Sequence, residues 1–413
     1  MKRVIVIGGG AAGLMAAVSA AEHGAQVTVL EKMPAAGRKL LITGKGRCNV
    51  TNVADIAEFI KNMPGNGSFL YSAFHAFTNE DIRAFLAQYG VPTKVERGGR
   101  VFPESDKAAD VIGAFLEALH GLGVKILYGQ TVKKILLQNG AAAGVVTRQN
   151  QTYPADAVIL AAGGASYPGT GSSGDGYMLA GETGHTMISL RPSLVPLEVE
   201  EEWIKDLQGL SLKNVKATVM QNDKKIADEF GEMLFTHYGL SGPIILSLSK
   251  FVAALDWKEG DISIAINLKP ALSEETLDKR LQRDFEKFNR RQIGNALHEL
   301  LPAKLIPVVI DLSFLDQEKP VHQITKAERM RLLAVLTQLT FTIRGPRPIA
   351  EAIVTAGGVS TKEIHPKTMQ SRLVPNLFLA GEVIDIDGYT GGYNLQAAFS
   401  SGYVAGKYAA QQE

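Results

Sequence analysis

The sequence predicts an α/β fold in two parts, a domain of buried parallel strands and helices interrupted by an insertion of about 150 residues. Three observations carry this expectation. A β-branched run closing on glycines, VIVIGGG, opens the chain, and runs of the same style return as DAVILAAGG and IVTAGGVS. Between the last two, beyond Pro192, the pattern switches to alternation (KNVKATVMQN, DISIAINLK) and then to charged helical periodicity. Buried parallel strands read as unbroken apolar runs and half-buried strands as alternation, so the switch marks a different body of structure.

Along the chain, Val4 to Gly9 reads as the first buried strand. Ala11 to His23 follows as an alanine-rich helix stopped by Gly24, and AQVTVLEK as a second strand, completing a βαβ unit of about thirty residues. Helical segments are expected at Asn79 to Gly90 and Lys107 to Gly121. VKILYGQTVKKILLQNG and AAAGVVTRQNQTYPA, with their Asn-Gly and Asn-Gln turns, read as an antiparallel meander. Asp156 to Gly164 returns as a buried strand. The two parts of the main domain are expected at 1–191 and 344–413. Within the insertion, 192–271 and about 306–325 read as β-rich, and 272–305 and 326–343 as helical.

The bulk properties exclude several function classes. A chain of 413 residues builds its own core without staples. A net charge of +1 sets up no global field toward nucleic acid or anionic membrane. The single cysteine excludes an internal disulfide, a CxxC redox centre and a cysteine-rich zinc site, and no metal is expected. The first 25 residues mimic a secretory leader, but Gly8-Gly9-Gly10 would break its apolar helix. No other window approaches a membrane span, so a soluble, cytoplasmic protein is expected.

Gly8-x-Gly10-x-x-Gly13 directly follows a strand and opens a helix. Its glycines suit a tight turn, close approach of backbone to a diphosphate, and close helix–strand packing. The helix start, with Ala11 and Ala12, offers free N–H groups and positive dipole to phosphate. Glu31, followed by Lys32, ends the second strand where a carboxylate accepts from a ribose 2′-hydroxyl, which also disfavours a 2′-phosphate. The tail, NLFLAGEVIDIDGYTGGYNLQAAFSSG, ends a strand in Gly381-Glu382. Asp385 and Asp387 follow in a loop, and Gly392 leads into a helix through Tyr393, Asn394 and Leu395. Such a helix start suits the O2 edge of a flavin. An N-terminal glycine motif paired with a C-terminal strand, acid and helix is how glutathione-reductase-like FAD-binding Rossmann domains close their site, and FAD is the expected cofactor.

VIVIGGGAAGL, GRKLLITGKGRCNVTN, FTHYGLSGPIILSLS, VTAGGVS and LAGEVIDIDGYTGGYNLQAAFSSG together resemble the bacterial YhiN/BaiN-like flavoproteins over nearly the whole chain. The resemblance implies an FAD domain in two pieces, split by an inserted β-barrel-like domain and a small helical domain. It also implies an NAD(P)/FAD-dependent oxidoreductase. Members of that family carry labels as aminoacetone oxidases, bile-acid-pathway reductases, and enzymes that convert a ribosomal RNA uridine to dihydrouridine.

GRKLLITGKGRCN places Arg38, Lys39, Lys45 and Arg47 between Gly37 and Asn49. The plain reading is a solvated basic loop. The sharper one is a clamp near the cofactor, with Gly44, Cys48 and Asn49 reaching the flavin edge. Ala162-Gly163 continue this set after their strand, and Val132 is the candidate for the adenine, by analogy with the fold class. Two motifs fail. Gly44-Lys45 lacks the Ser or Thr of a Walker A loop, and Gly169-x-Gly171-x-x-Gly174 does not directly follow a strand, so no dedicated NAD(P)H domain is expected.

Candidates for a proton donor are Cys48, Tyr167 and His237; each has a structural alternative as a packing or hydrogen-bonded loop residue. Arg344 and Arg347 read equally as anion contacts or as a hinge. KRLQRDFEKFNRRQ reads as a solvated amphipathic helix, with an RNA backbone contact as the alternative. Three functions compete. An FAD enzyme, with NAD(P)H as transient reductant, would pass hydride to an unsaturated substrate, either a small molecule or a uridine in ribosomal RNA. An amine oxidase and a non-enzymatic flavin redox sensor are the alternatives.

Overall fold

Val4 to Ile7 are buried along the first strand, Arg3–Ile7, because neighbours cover both its sides. In the computed structural model, which describes residues 1–411, this strand lies at the centre of a five-stranded parallel sheet. The order is Leu377–Leu379, Ala157–Leu160, Arg3–Ile7, Gln26–Glu31 and Lys125–Tyr128, so pieces from both ends of the chain hydrogen-bond side by side. The chain divides into two compact units, Met1–Arg191 with Ile349–Glu413, and Pro192–Pro348.

The strand Lys125–Tyr128 corrects the expected meander. It pairs in parallel with Gln26–Glu31, and the antiparallel meander comprises only Val132–Gln138, Ala141–Thr147 and Thr152–Pro154. The cause is connectivity. Lys125 is reached through the helix Ala108–Gly121, and a helical crossover returns the chain parallel, whereas the tight turn at Asn139-Gly140 reverses it. A second antiparallel sheet joins Thr51–Asn52, Arg100–Pro103 and Thr93–Glu96.

The first helix, Ala11–Glu22, and the last, Tyr393–Ala410, pack backbone against backbone. A Cβ on Gly402 would stand 2.3 Å from the Ala12 carbonyl oxygen, and one on Gly406 would stand 2.2 Å from that of Ala16. Ser19 donates to the Tyr403 carbonyl at 2.8 Å along the same seam. Since residue 402 meets 12 and 406 meets 16, the helices run parallel, and their positive ends face the same way.

In the second unit, six strands close a barrel: Leu197–Val199, Gly239–Ser241, Lys224–Phe235, Ser211–Gln221, Ile262–Asn267 and Leu339–Pro346, the last pairing with the first. Ile244, Ile245, Leu248 and Val252, from the helix Pro243–Ala254, share its core. The same core continues into Leu277, Leu281, Val309 and Leu332 of the flanking helices, so barrel and helices are one hydrophobic body. Two expected boundaries are corrected. Residues about 306–325 hold the helix Leu305–Leu312 and no strand, since a short apolar run such as LIPVVIDL is helix or strand by periodicity alone. The part expected as helical over 326–343 holds a helix only to Thr337, and Leu339, Phe341 and Ile343 point inward by alternation in the closing barrel strand. Among the described residues no helix is long and apolar enough to cross a membrane, and no group of His, Cys, Asp or Glu forms a metal site.

Two helical glycines should respond oppositely to a side chain. Gly402→Val should destabilise the protein by about 2 kcal/mol or more by prising the helices apart. Gly113→Ala, where a Cβ meets nothing within 4 Å, should stabilise it by about 0.5–1 kcal/mol. Chemical denaturation reads both; equal effects would show that the seam does not depend on backbone contact.

Candidate functional site

The carboxyl edge of the parallel sheet brings together the loops Gly8–Gly13, Ala161–Ser166 and Gly381–Val383. Gly8 has φ +101, and a Cβ there would stand 2.6 Å from the Ala161 carbonyl oxygen. A Cβ on Gly13 would stand 1.9 Å from the Gly8 carbonyl oxygen, so only glycine lets the helix start this close to its strand. Gly10 differs: its φ is −85, and a Cβ there meets nothing within 4 Å. Gly10 caps the first helix with no side-chain hydrogen bond, leaving the first-turn N–H groups directed into that space. Gly8 and Gly13 therefore serve packing, whereas Gly10 leaves the space before the helix start open. The second cradle repeats the pattern. Gly381 packs on Ala12, its Cβ position 2.7 Å from that of Ala12, and Gly392 opens the last helix with φ +99 and no side-chain cap.

Glu31 is buried at the end of its strand, and its two carboxylate oxygens accept from Gly9 N–H and Met33 N–H, each at 2.7 Å. It thereby fixes the glycine loop from beside it. Lys32 pairs with Asp175 at 2.7 Å and also donates to Ser173, which binds the short helix Asp175–Glu182 to this edge. Val132 is buried at the start of its meander strand. Ala162-Gly163 follow the strand Ala157–Leu160, Gly163 turning at φ +72. Asp387 is buried in the loop before the last helix.

The basic loop is not a free cluster of positive charge. Lys39 Nζ donates to Glu382 at 2.7 Å and to Ser166 at 2.6 Å, with both ion-pair partners largely buried. Glu382 also accepts from Thr355 N–H at 2.8 Å and from the Ser166 hydroxyl at 3.1 Å. Arg47 pairs with Glu96 and Asp106 and lies over the Phe102 ring, 4.2 Å from its centroid. Hydrogen bonds to those two carboxylates push its pKa up, and its bond holds Glu96 below the usual carboxylate range. Arg38 reaches the Gly169 carbonyl at 3.5 Å, and Lys45 is exposed with φ +60.

What the stretch CNVTN does is hold the second cradle. With the amide orientation that satisfies its neighbours, Asn49 donates to the carbonyls of Val101 and Thr51 and accepts from Gly392 N–H at 3.0 Å. Asn52 donates to the Gly391 carbonyl at 3.0 Å, and a Cβ on Gly392 would stand 2.3 Å from the Thr51 carbonyl oxygen. Asn394 bonds Gly388 N–H and the carbonyls of Gly388 and Tyr389, so its side chain holds its own loop. Tyr393 is buried against Phe59. Leu395 completes the first turn, and Gly37 and Gly44, at φ +71 and +56, shape the basic loop.

The three candidate proton donors stand in different settings. Cys48 is wholly buried in the core, and burial pushes its thiol up to about 12 despite a hydrogen bond with Thr43. Its neighbour Arg47 faces two carboxylates instead, so the sequence neighbourhood of an activated thiolate does not become one in space. Tyr167 has φ +51, a costly conformation for an aromatic residue, and its side chain is partly exposed. His237 is exposed on a turn of the second unit, edge-on to Tyr238. Arg347 pairs with Glu198 and lies over the Tyr238 ring, which is a structural use of that arginine. Along the basic helix Lys279, Arg280 and Lys287 each pair with an acid.

The sequence reading missed Ser166, Thr355 and Asn52. Isolated small polar residues carry no motif, and only the fold brings Ser166 to Glu382 across 216 residues of chain and Thr355 to it across 27.

Two uncapped helix starts facing one way at a sheet's carboxyl edge, each opened by a glycine, fit an extended dinucleotide such as FAD. Fold and site define the class: an FAD-dependent oxidoreductase. The chain belongs to the family described as HI0933-like protein Rossmann domain, whose model matches residues 2–408. It is 34% identical over 415 residues to a 3-dehydro-bile acid delta(4,6)-reductase of Clostridium scindens, covering 100% of both chains. It is 33% identical to a ribosomal RNA dihydrouridine synthase of Haemophilus influenzae, covering 97% of this chain and 96% of that one. Its fold is that of a 3-ketosteroid-delta4-(5alpha)-dehydrogenase from Rhodococcus jostii RHA1, at TM-score 0.54 and 15% identity, covering 100% of this chain and 97% of that one.

Gly10→Val should leave the unfolding midpoint of the FAD-free protein unchanged while lowering FAD affinity more than tenfold, because the added atoms enter only the approach space. Flavin content after purification and a titration with FAD measure this; full occupancy in the variant would move the diphosphate site elsewhere. For Cys48, an aromatic disulfide reagent at pH 8 should react with the folded protein orders of magnitude more slowly than with the unfolded chain, whose thiol returns to about 8.5. Fast reaction in the folded state would place the thiol at an open surface.

Proposed function

We propose that this protein reduces a carbon–carbon double bond conjugated to a carbonyl, with NAD(P)H as the transient source of hydride. The observation that carries the reading is the pair of glycine-opened, uncapped helix starts on one edge of the sheet. Support for the reaction type comes from the two relatives, whose names both describe saturation of a double bond. FAD, when bound, supplies the hydride transfer. The N–H groups beginning at Ala11 and Ala12 bind its diphosphate, and Glu31 orients the glycine loop and accepts from a ribose hydroxyl. The last helix start, through Tyr393, Asn394 and Leu395, faces the flavin end.

Saturating such a bond adds a hydride to one carbon and a proton to the other, so the protein must hold an acid near the site. Tyr167 is our choice. It follows the loop Ala161–Ser166 directly, its ring is partly exposed, and its strained backbone is held by the Ala350 carbonyl at 3.1 Å and by Thr170. Strain retained in a non-glycine residue at a site is a reason to look for function there. Cys48 is less suited, because no face of it is open. For the substrate, a small carbonyl-conjugated alkene and a uridine in ribosomal RNA share the reacting group.

Anaerobic stopped-flow tests the reading. NADH or NADPH should bleach the flavin, and an enone or uridine-containing ribosomal RNA should restore its colour. Tyr167→Phe should leave bleaching intact and slow recovery by about 10²–10⁴-fold. Bleaching by amines, or recovery by no unsaturated acceptor, would sink the proposal in favour of an oxidase or a redox sensor. Dihydrouridine in ribosomal RNA from a deletion strain separates the substrates, since an unchanged level removes the RNA.

A further inference from the structure

The two cradles are not at the same height. Gly402 lies nine residues into its helix and the Ala12 it meets lies one residue into its own. The eight-residue difference, at about 1.5 Å a residue, sets the start of the last helix about 12 Å beyond that of the first. One helix start therefore serves the diphosphate end of an extended dinucleotide and the other its ring end. At the ring end, Gly392 N–H is taken by Asn49, Asn52 holds the preceding carbonyl, and Gln396 N–H returns to Gly392. The N–H groups of Tyr393, Asn394 and Leu395 have no protein acceptor among the described residues.

We propose that Asn49 and Asn52 are positioning residues for the flavin: they act through Gly391-Gly392, aim the last helix at the ring, and so set its reduction potential. This rests on the FAD reading above and gives Asn49 a different part from direct flavin contact. Four features support it. Both side chains converge on one dipeptide, Asn52 from the strand Thr51–Asn52 and Asn49 from the loop just before it. Asn52 is buried and fully used, donating to Gly98 and Gly391 and accepting from Ala54. The Thr51 carbonyl leaves no room for a side chain on Gly392. The Thr51 hydroxyl donates to Gln396 at 2.7 Å, so the same strand also grips the helix one turn further in. Electrons added to a flavin place negative charge on the ring, and a helix start stabilises it only if its N–H groups stay within about hydrogen-bond reach.

The experiment is a redox titration of the purified, FAD-loaded full chain, comparing wild type with Asn49→Ala and with Gly392→Ala. Gly392→Ala displaces the loop that the asparagines hold while keeping both asparagines in the sequence. FAD content and the unfolding midpoint of the FAD-free protein are measured alongside, since a merely structural defect lowers stability without moving the potential. Both variants should hold FAD and show at least a tenfold loss in stabilisation of the reduced form, a two-electron potential about 30 mV more negative. Shifts under twofold, about 9 mV by the same conversion, would overturn the proposal. So would loss of FAD from Asn49→Ala while Gly392→Ala remains loaded and unshifted, which would make Asn49 a direct ligand. Failure of the wild-type chain itself to bind FAD would instead refute the cofactor reading.

Discussion

Everything at the site depends on how closely two helix backbones approach. The first helix and the last come from opposite ends of the chain, and their contact at Gly402 and Gly406 leaves no room for side chains. Close packing of this kind leaves little freedom to slide or rotate. Because the helices run parallel, their positive ends face the same side, and the offset between them matches an elongated ligand better than a compact one. The parallel sheet alone would provide one such helix start. The glycine seam provides the second and sets its distance.

Around that frame, charge is arranged to hold loops. Lys39 and Glu382 join the basic loop to the turn after the last strand of the sheet, and Ser166 and Thr355 complete the link. Arg47 is tied to Glu96 and Asp106, and Lys32 to Asp175. Lys39 and Arg47, two of the four positive side chains that the basic loop offers to the cofactor, are thus engaged by carboxylates, whereas the backbone N–H groups of the helix starts are left open. Backbone donors suit an anion because they are fixed by the fold and lose no side-chain entropy on binding.

The second unit illustrates where periodicity fails. Its barrel strands show clear alternation, as in ISIAIN, and were legible. LIPVVIDL was not, because a buried helix and a buried strand both present unbroken apolar residues and only packing chooses between them. The closing strand, Leu339–Pro346, carries alternation at Leu339, Phe341 and Ile343, but it follows a helix so closely that the two blend along the sequence. Lys125–Tyr128 was misassigned for a third reason: strand partners depend on the connection, and a local pattern does not contain it.

By itself the sequence determined the βαβ opening, the glycine positions of both cradles, the split of the main domain, and the exclusion of an internal disulfide, a CxxC centre and a cysteine-rich zinc site. Those properties are local or compositional: a glycine at a positive φ or a β-branched run ending in a turn leaves its mark within a few residues. Only the tertiary structure decided the part played by Cys48 and its neighbours. Burial pushes the thiol's pKa up while the adjacent arginine turns to Glu96 and Asp106, and the asparagines beside it meet Gly391-Gly392 from more than 300 residues away. Such contacts leave no local trace, because neither partner's residue type or spacing specifies the other.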